Sequence, residues 1–413
     1  MKKFLLSMMM LAVVFANADA KRVSDDCQVE IIAPGQSKFH PNSVIACVWG
    51  YDSEWAVTWS QDGKDMGPMT MVQDCSPACI KKIGEFYAKR GKDIPSSKKL
   101  KKNIHYFAAT PDQYAKVVTV NVRIRSGKEW KFDVKLSDHV DVQAHRGGAG
   151  LWPENTFTSM TKATEMGVNT LELDLQISQD GKVVVSHDAY FNSRYATRPD
   201  GSEVKSEDPK EYLYTMPYST IAKYDVGKRP SPEWPGKEQS PAIKPLATEL
   251  IDSVENYVKA NGLDPMRYNI EIKCRKGKDE GKNWPEYHEF VDKCMELLLS
   301  KNLGDRLVIQ CFDVRALNYM HEKYPQVKLS YLIRKMDTDW DTYMGRLNFT
   351  PDWLSPQFLM VDQTMVDNCR KAGIRLVPWT VDEEADIRRI LDLHVEAIIT
   401  NYPDRVLKIT REY

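Results

Sequence analysis

Two carboxylates, Glu172 and Asp174, alternate with Leu171, Leu173 and Leu175, and two histidines, His145 and His187, bracket the run. On a strand, residues two apart share a face, so the carboxylates point one way and the leucines the other. Two acids side by side on a buried strand are costly unless a divalent cation resolves the charge. The bland alternative is an exposed edge strand with solvated acids. Glu271 and Lys273 repeat the spacing in Tyr268-Asn269-Ile270-Glu271-Ile272-Lys273. They read either as a buried ion pair or as a third oxygen ligand beside a cation suited to phosphate. Imidazoles pass protons near neutral pH, although a lone histidine at a strand end is more often structural. Arg146 can grip a phosphate through two parallel hydrogen bonds, and Gly147-Gly148 would let the backbone approach it. Taken together, the residue types suit metal-assisted acid–base chemistry on a phosphate.

The elements that must hold these residues alternate. Strands are expected at 141–144, 170–177, 183–186, 268–274, 306–311, 327–333, 374–379 and 396–400. Helices are expected at 156–166, with Asn155 as N-cap, and at 246–261, 285–301, 313–322, 362–372 and 383–393. Strand–helix repetition over this length, with short junctions, predicts an α/β fold of the (β/α)8 TIM-barrel type. No glycine-rich dinucleotide turn opens it, which disfavours a doubly wound sheet. Barrel active sites gather at the C-terminal ends of the strands, where both carboxylate pairs would lie. Residues 190–245 are polar, proline-rich and too long for an ordinary connection, so an inserted subdomain or lid is expected there.

Before residue 140 the pattern differs. Short β-rich runs at 44–49, 55–60, 105–108, 117–125 and 130–136, with turn signals between them, predict a small all-β sandwich over 21–139. One short helix is expected within 75–102. Residues 1–20 have a secretory signal's parts: Lys2 and Lys3, an apolar run from Phe4 to Phe15, and Ala18-Asp19-Ala20. The expectation is therefore an exported protein, periplasmic or extracellular, with no transmembrane segment. The 413 residues are 28% charged with a formal net charge of −1, which gives no electrostatic case for nucleic-acid binding. Eight cysteines do not by number or spacing force disulfides, and Cys75-x3-Cys79 lacks the second half of a zinc site.

The ordered motifs carry a resemblance. HRG followed by PENT, then LELDLQISQDGKVVVSHD, NIEIK at 269–273, VIQCFD at 308–313 and VPWTVDEEADIRRILDLHVEAIITNYPD at 377–404 resemble the glycerophosphodiester phosphodiesterases over roughly 140–410. The resemblance implies a barrel with one divalent cation, Ca2+ or Mg2+, held by Glu172, Asp174 and Glu271. It implies acid–base catalysis by His145 and His187, and phosphate binding by Arg146 and Lys273. Gln310, Phe312 and Trp379 are implied to line the substrate pocket. The product would be sn-glycerol 3-phosphate plus an alcohol, with a cyclic phosphate first if the glycerol 2-hydroxyl is the nucleophile. The N-terminal third, through Trp49, Trp55, Asp62-Gly63, Gly67-Pro68-Met69 and His105-x-Phe107, resembles the β-sandwich appended to some calcineurin-like metallophosphoesterases. An accessory module is implied, with contact to a surface or a glycan as its expected work.

The chain departs from the family pattern in places. Asp382 stands where Asn is usual, His394 where Gly is common, and Ala-Tyr-Phe-Asn-Ser-Arg follows His187-Asp188. These leave the chemistry in place but bear on the alcohol released. Two other readings stay open: a phosphodiesterase acting on phosphoinositide or lysophospholipid head groups, and a noncatalytic glycan- or surface-binding barrel.

Overall fold

A computed structural model of the chain describes residues 29–74, 77–96, 100, 104–112, 115–136, 139–336 and 338–412. The leader expected at 1–20, Cys27 and Cys75 lie outside the described residues. Two compact units divide the chain at residues 136 and 137.

The first unit contains β1 (Val29–Ile32), β2 (Val44–Trp49), β3 (Ala56–Gln61), β4 (Lys64–Pro68), β5 (Thr70–Val72), β6 (Ile104–Ala109), β7 (Val117–Arg123) and β8 (Glu129–Lys135). They form two four-stranded antiparallel sheets, ordered β1-β2-β6-β5 and β4-β3-β7-β8. Alternation in β7 sends Val118, Val120 and Val122 into the core shared with Val44, Ala46 and Val48 of β2. The opposite face of β2 carries Ile45, Cys47 and Trp49, which pack with Cys79, Ile83 and Phe86 of the helix Pro77–Ala88. Trp49 stacks on Phe86 with ring centroids 3.9 Å apart. That second covered face explains why β2 reads as a continuous apolar run, without alternation.

The second unit is a barrel. Its strands are β9 (Asp141–Ala144), β10 (Thr170–Ile177), β11 (Val183–Val185), β12 (Arg267–Ile272), β13 (Leu307–Cys311), β14 (Lys328–Ile333), β15 (Trp353–Pro356), β16 (Arg375–Leu376) and β17 (Ala397–Thr400). Eight of them run in parallel in the order β16-β15-β14-β13-β12-β10-β9-β17, with β11 antiparallel on β10. The seam between β16 and β17 is bridged past the short β16, where Val381 donates to the Ile399 carbonyl and Ile399 donates to Pro378, both at 3.0 Å. Helices follow each parallel strand in turn, at Phe157–Met166, Ala247–Asn261, Tyr287–Ser300, Val314–Lys323, Trp340–Met344, Gln363–Ala372, Glu384–Asp392 and Pro403–Glu412. Leu171, Leu173, Leu175, Ile270, Ile272 and Ile309 pack outward into the main core under those helices.

Several expectations change. Strand β15 and the helices Trp340–Met344 and Pro403–Glu412 had no clear sequence signal. The strand is four residues ending in proline, and the first of those helices is one short turn. The segment expected as a strand at 374–379 forms a regular ladder over Arg375–Leu376 and then continues less regularly, with a parallel bridge between Gln357 and Trp379. The N-cap of Phe157–Met166 is Thr156, which forms a capping box with Ser159. Asn155 stands one residue earlier at φ 58° and serves the site instead. Residues beyond β11 and before Ala247 hold little regular structure. They have their own small core, in which Phe191 stacks on Tyr224 at 3.8 Å and Leu213 and Ile221 are fully buried.

Candidate active site

Strand register assembles the carboxylates. Asp174 of β10 is level with Glu271 of β12, and Glu271 is level with Gln310 of β13, so three neighbouring strands present polar groups at one height. Glu172, Asp174 and Glu271 each offer an oxygen, all within 4.8 Å of one another, and all three are buried. Burying an uncompensated carboxylate costs on the order of several kcal/mol, so the strand must supply or recruit positive charge. Lys273 supplies part of it, with Nζ 2.8 Å from Glu271 Oε1 and 3.5 Å from Asp174 Oδ1. Both readings of that pair, ion pair and metal-side cation, are compatible with its position.

The charge imbalance is visible in the acidities. Burial, then the neighbouring Asp174, pushes Glu172 well above the carboxylate range. Burial also raises Glu271, although Lys273 opposes it. Burial would raise Asp174 too, but Lys273, His187 and Arg146 together hold it below its ordinary value. Asp174 Oδ1 is buried with no hydrogen-bond partner. Three clustered oxygens, one of them unsatisfied, fit a hard divalent cation; Ca2+ and Mg2+ both take such donors.

The turn after β9 places the first histidine and the arginine. Arg146 sits at φ 51°, ψ 30°, and its N–H donates to Glu172 Oε2 at 2.8 Å. Its guanidinium reaches Glu154 Oε1 at 2.9 Å and lies 3.5 Å from Asp174 Oδ2, leaving Nε buried and without a hydrogen bond. Nε is the atom that faces the Asp174 carboxylate, too far for a hydrogen bond but within ion-pair reach. Gly147 is required here for a reason different from phosphate approach. At φ +80° a Cβ would stand 2.6 Å from Ser159 Oγ, where the helix Phe157–Met166 begins. Asn155 Nδ2 donates to Asp174 Oδ2 at 2.8 Å and thereby orients that carboxylate.

Each histidine has a partner at Nδ1. His145 Nδ1 lies 2.5 Å from Asn401 Oδ1. Asn401 Nδ2 is already donating to Asp382 Oδ2 at 2.7 Å, so its oxygen faces the ring and His145 must carry its proton on Nδ1. Burial, then Arg146, lowers His145 to about 3, so its ring stays neutral near pH 7. His187 Nδ1 lies 3.0 Å from Asp188 Oδ1, and Asn192 holds the other oxygen of that carboxylate at 2.7 Å. The buried Lys244 donates to Ser186 Oγ at 2.7 Å, and Ser186 in turn donates to the Asp188 carbonyl at 2.7 Å. Asn192 and Lys244, near the two ends of the segment between β11 and Ala247, thus tie down the His187 turn.

Gln310 stands beside the carboxylates, and its buried Oε1 has no hydrogen-bond partner. Its amide donates to Glu172 Oε1 at 2.7 Å and is buried. Phe312 and Trp379 meet edge to face at 5.6 Å, and the Arg334 guanidinium lies within 6 Å of both rings, at 5.8 and 5.9 Å. Glu154, Asn155, Arg334 and Asn401 were not singled out from the sequence as site residues. PENT and ITNYPD contain three of them, but their partners are set only by the closed barrel.

Fold and site define an enzyme of phosphodiester cleavage built on a (β/α)8 barrel. Residues 145–405 match the glycerophosphoryl diester phosphodiesterase family, and the chain belongs to that family. Residues 17–130 match the C-terminal region of calcineurin-like phosphoesterases. A glycerophosphodiester phosphodiesterase of Caldanaerobacter subterraneus is 25% identical, covering 66% of this chain and 98% of that protein. The lysophospholipase D GDPD1 of Homo sapiens is 28% identical, covering 66% of this chain and 85% of that one. A Silicibacter pomeroyi structure assigned to the glycerophosphoryl diester phosphodiesterases shares the fold at TM-score 0.59 and 24% identity, covering 66% and 93% of the two chains. An Oleispira antarctica phosphodiesterase, solved with sn-glycerol-3-phosphate, does so at TM-score 0.51 and 23% identity, covering 66% and 97%.

Proposed function

We propose that this chain is an exported, metal-dependent glycerophosphodiesterase that releases sn-glycerol 3-phosphate and an alcohol. The observation that carries this reading is the carboxylate cluster Glu172–Asp174–Glu271, with Lys273 against it and two partnered histidines nearby, in a member of this family. A divalent cation bound there, Ca2+ or Mg2+, supplies Lewis-acid polarisation of the phosphoryl oxygens. Arg146 and Lys273 hold the phosphate. Phe312, Trp379 and Gln310 line the substrate pocket, Gln310 while donating to Glu172.

The partners at Nδ1 divide the histidine roles. His145 donates to a neutral amide and keeps a free Nε2 lone pair, so it is the base that takes the proton of the glycerol 2-hydroxyl. That oxygen bonds to phosphorus as the bond to the head-group oxygen breaks. His187, whose positive form the Asp188 carboxylate can neutralise, gives its proton to the departing alkoxide. Water then opens the cyclic phosphate with the two roles reversed, so one water is consumed per diester.

The test is purified protein with a panel of glycerophosphodiesters, chelator and metal add-back, coupled to glycerol 3-phosphate detection. Metal-dependent release supports the reading. Full turnover by folded Glu172→Gln or His145→Ala protein would overturn it. The human relative's name favours a second reading, lysophospholipid cleavage, which the same assay with lysophospholipids separates. Glycan binding without turnover would favour the noncatalytic reading.

The same proposal covers the rest of the chain: a leader over 1–20, an accessory sandwich over 21–139 that contacts a surface or glycan, and a barrel over 140–413 with its insertion at about 190–245. N-terminal sequencing of secreted protein should begin at Lys21. No helix among the described residues is long and apolar enough to cross a membrane.

A further inference from the structure

The insertion forms one wall of a cavity of about 440 Å³ whose other wall includes Arg146 and His187. A diester pinned at the carboxylate cluster therefore has one arm beside this space. Its lining is rich in charge, and the carboxylates are already engaged. Glu154 accepts from Arg146 at 2.9 Å, and Asp188 faces His187 and Asn192 at 3.0 and 2.7 Å. Asp208 accepts from Arg198 at 2.6 Å and from the Lys205 backbone at 2.9 Å, and Glu233 accepts from Arg194 at 2.6 Å.

Two lining cations differ. Among the described residues, the ammonium groups of Lys205 and Lys210 have no carboxylate within ion-pair distance, and both side chains are exposed toward solvent. The Lys210 ammonium sits 4.2 Å over the Tyr190 ring. That occupies the Tyr190 face, a surface a quaternary ammonium would otherwise use. With its acids each paired and the Tyr190 face filled by a lysine, the charges left without a carboxylate are those of Lys205 and Lys210, so the cavity suits negative charge.

We propose that the cavity receives a head-group alcohol carrying an anionic group of its own, such as a carboxylate, which Lys205 and Lys210 bind. This rests on the glycerophosphodiesterase reading. The matched probes are sn-glycero-3-phosphoserine and sn-glycero-3-phosphoethanolamine, which differ by one carboxylate. With full-length metal-loaded enzyme, kcat/KM should favour the serine diester by about tenfold, the value of one good charge-assisted contact. In Lys205→Ala/Lys210→Ala protein the ratio of the two kcat/KM values should fall toward one. A wild-type ratio of one or below overturns the proposal, and so does a preference that the double substitution leaves intact. No turnover of either diester, with metal present, would instead overturn the underlying activity.

Discussion

His145 Nδ1 and Asn401 Oδ1 approach to 2.5 Å, and Asp382 fixes the asparagine from behind. Asp382 also accepts from the Asn401 backbone at 2.8 Å and from Thr400 Oγ1 at 3.1 Å, so the amide cannot flip without losing a buried bond. Asp382, which stands where the family resemblance leads one to expect Asn, thus lands directly behind His145. Asp382→Ala and Asn401→Ala should each lower kcat about 10- to 100-fold, as orienting partners of reactive groups do. KM should change little, because neither residue lines the phosphate site. Steady-state kinetics would separate this from a loss confined to KM.

Removing Lys273 takes away the cation that faces two buried acids. Lys273→Ala protein in chelator should be destabilised by about 3–5 kcal/mol, the cost of leaving buried charge uncompensated. Adding a divalent cation should recover part of that, because it supplies the missing positive charge. Urea unfolding with and without metal reads both effects, and an identical loss in both conditions would contradict a shared site.

A cation bound only by the folded chain must also stabilise the native enzyme. At 100 times its Kd the gain should be about 2.7 kcal/mol. Thermal melts of wild type should therefore rise with Ca2+ or Mg2+. Glu172→Gln and Glu271→Gln proteins should show a much smaller rise, and calorimetric titration should show weaker binding.

His145 gives a pH dependence with a definite sign. Folded, it is lowered to about 3; unfolded, its ordinary value is about 6.5. Between those values the unfolded chain binds more protons, so stability falls as pH falls through the window. In chelator, unfolding free energy should drop from pH 7 to pH 4, and His145→Asn should flatten that slope. A slope unchanged by the substitution would assign the drop to other groups.

Gly147→Ala should cost more than about 1 kcal/mol, because φ +80° and the Ser159 side chain both oppose a Cβ. It should also depress activity, since His145 and Arg146 ride on the same turn. Circular dichroism during urea unfolding, beside kinetics, would test both halves.

The sequence by itself determined the chemistry-bearing groups and most of the elements that hold them. Period-two alternation put Glu172 with Asp174, and Glu271 with Lys273, because side-chain facing on a strand is a local property. Long helices with glycine stops, such as Ala247–Asn261 ending at Gly262, were legible for the same reason. Strand β15 was not, since four residues ending in proline carry no period, and its place comes from pairing with β14 and β16. Tertiary structure alone set who meets whom across the barrel. Asn401 reaches His145 across 256 positions of chain, and Gln310 reaches Glu172 across 138. Such contacts depend on strand register and closure, which no local pattern encodes. Asn155 shows the difference most plainly: its sequence neighbourhood suggested a helix cap, and the folded barrel turned it toward Asp174.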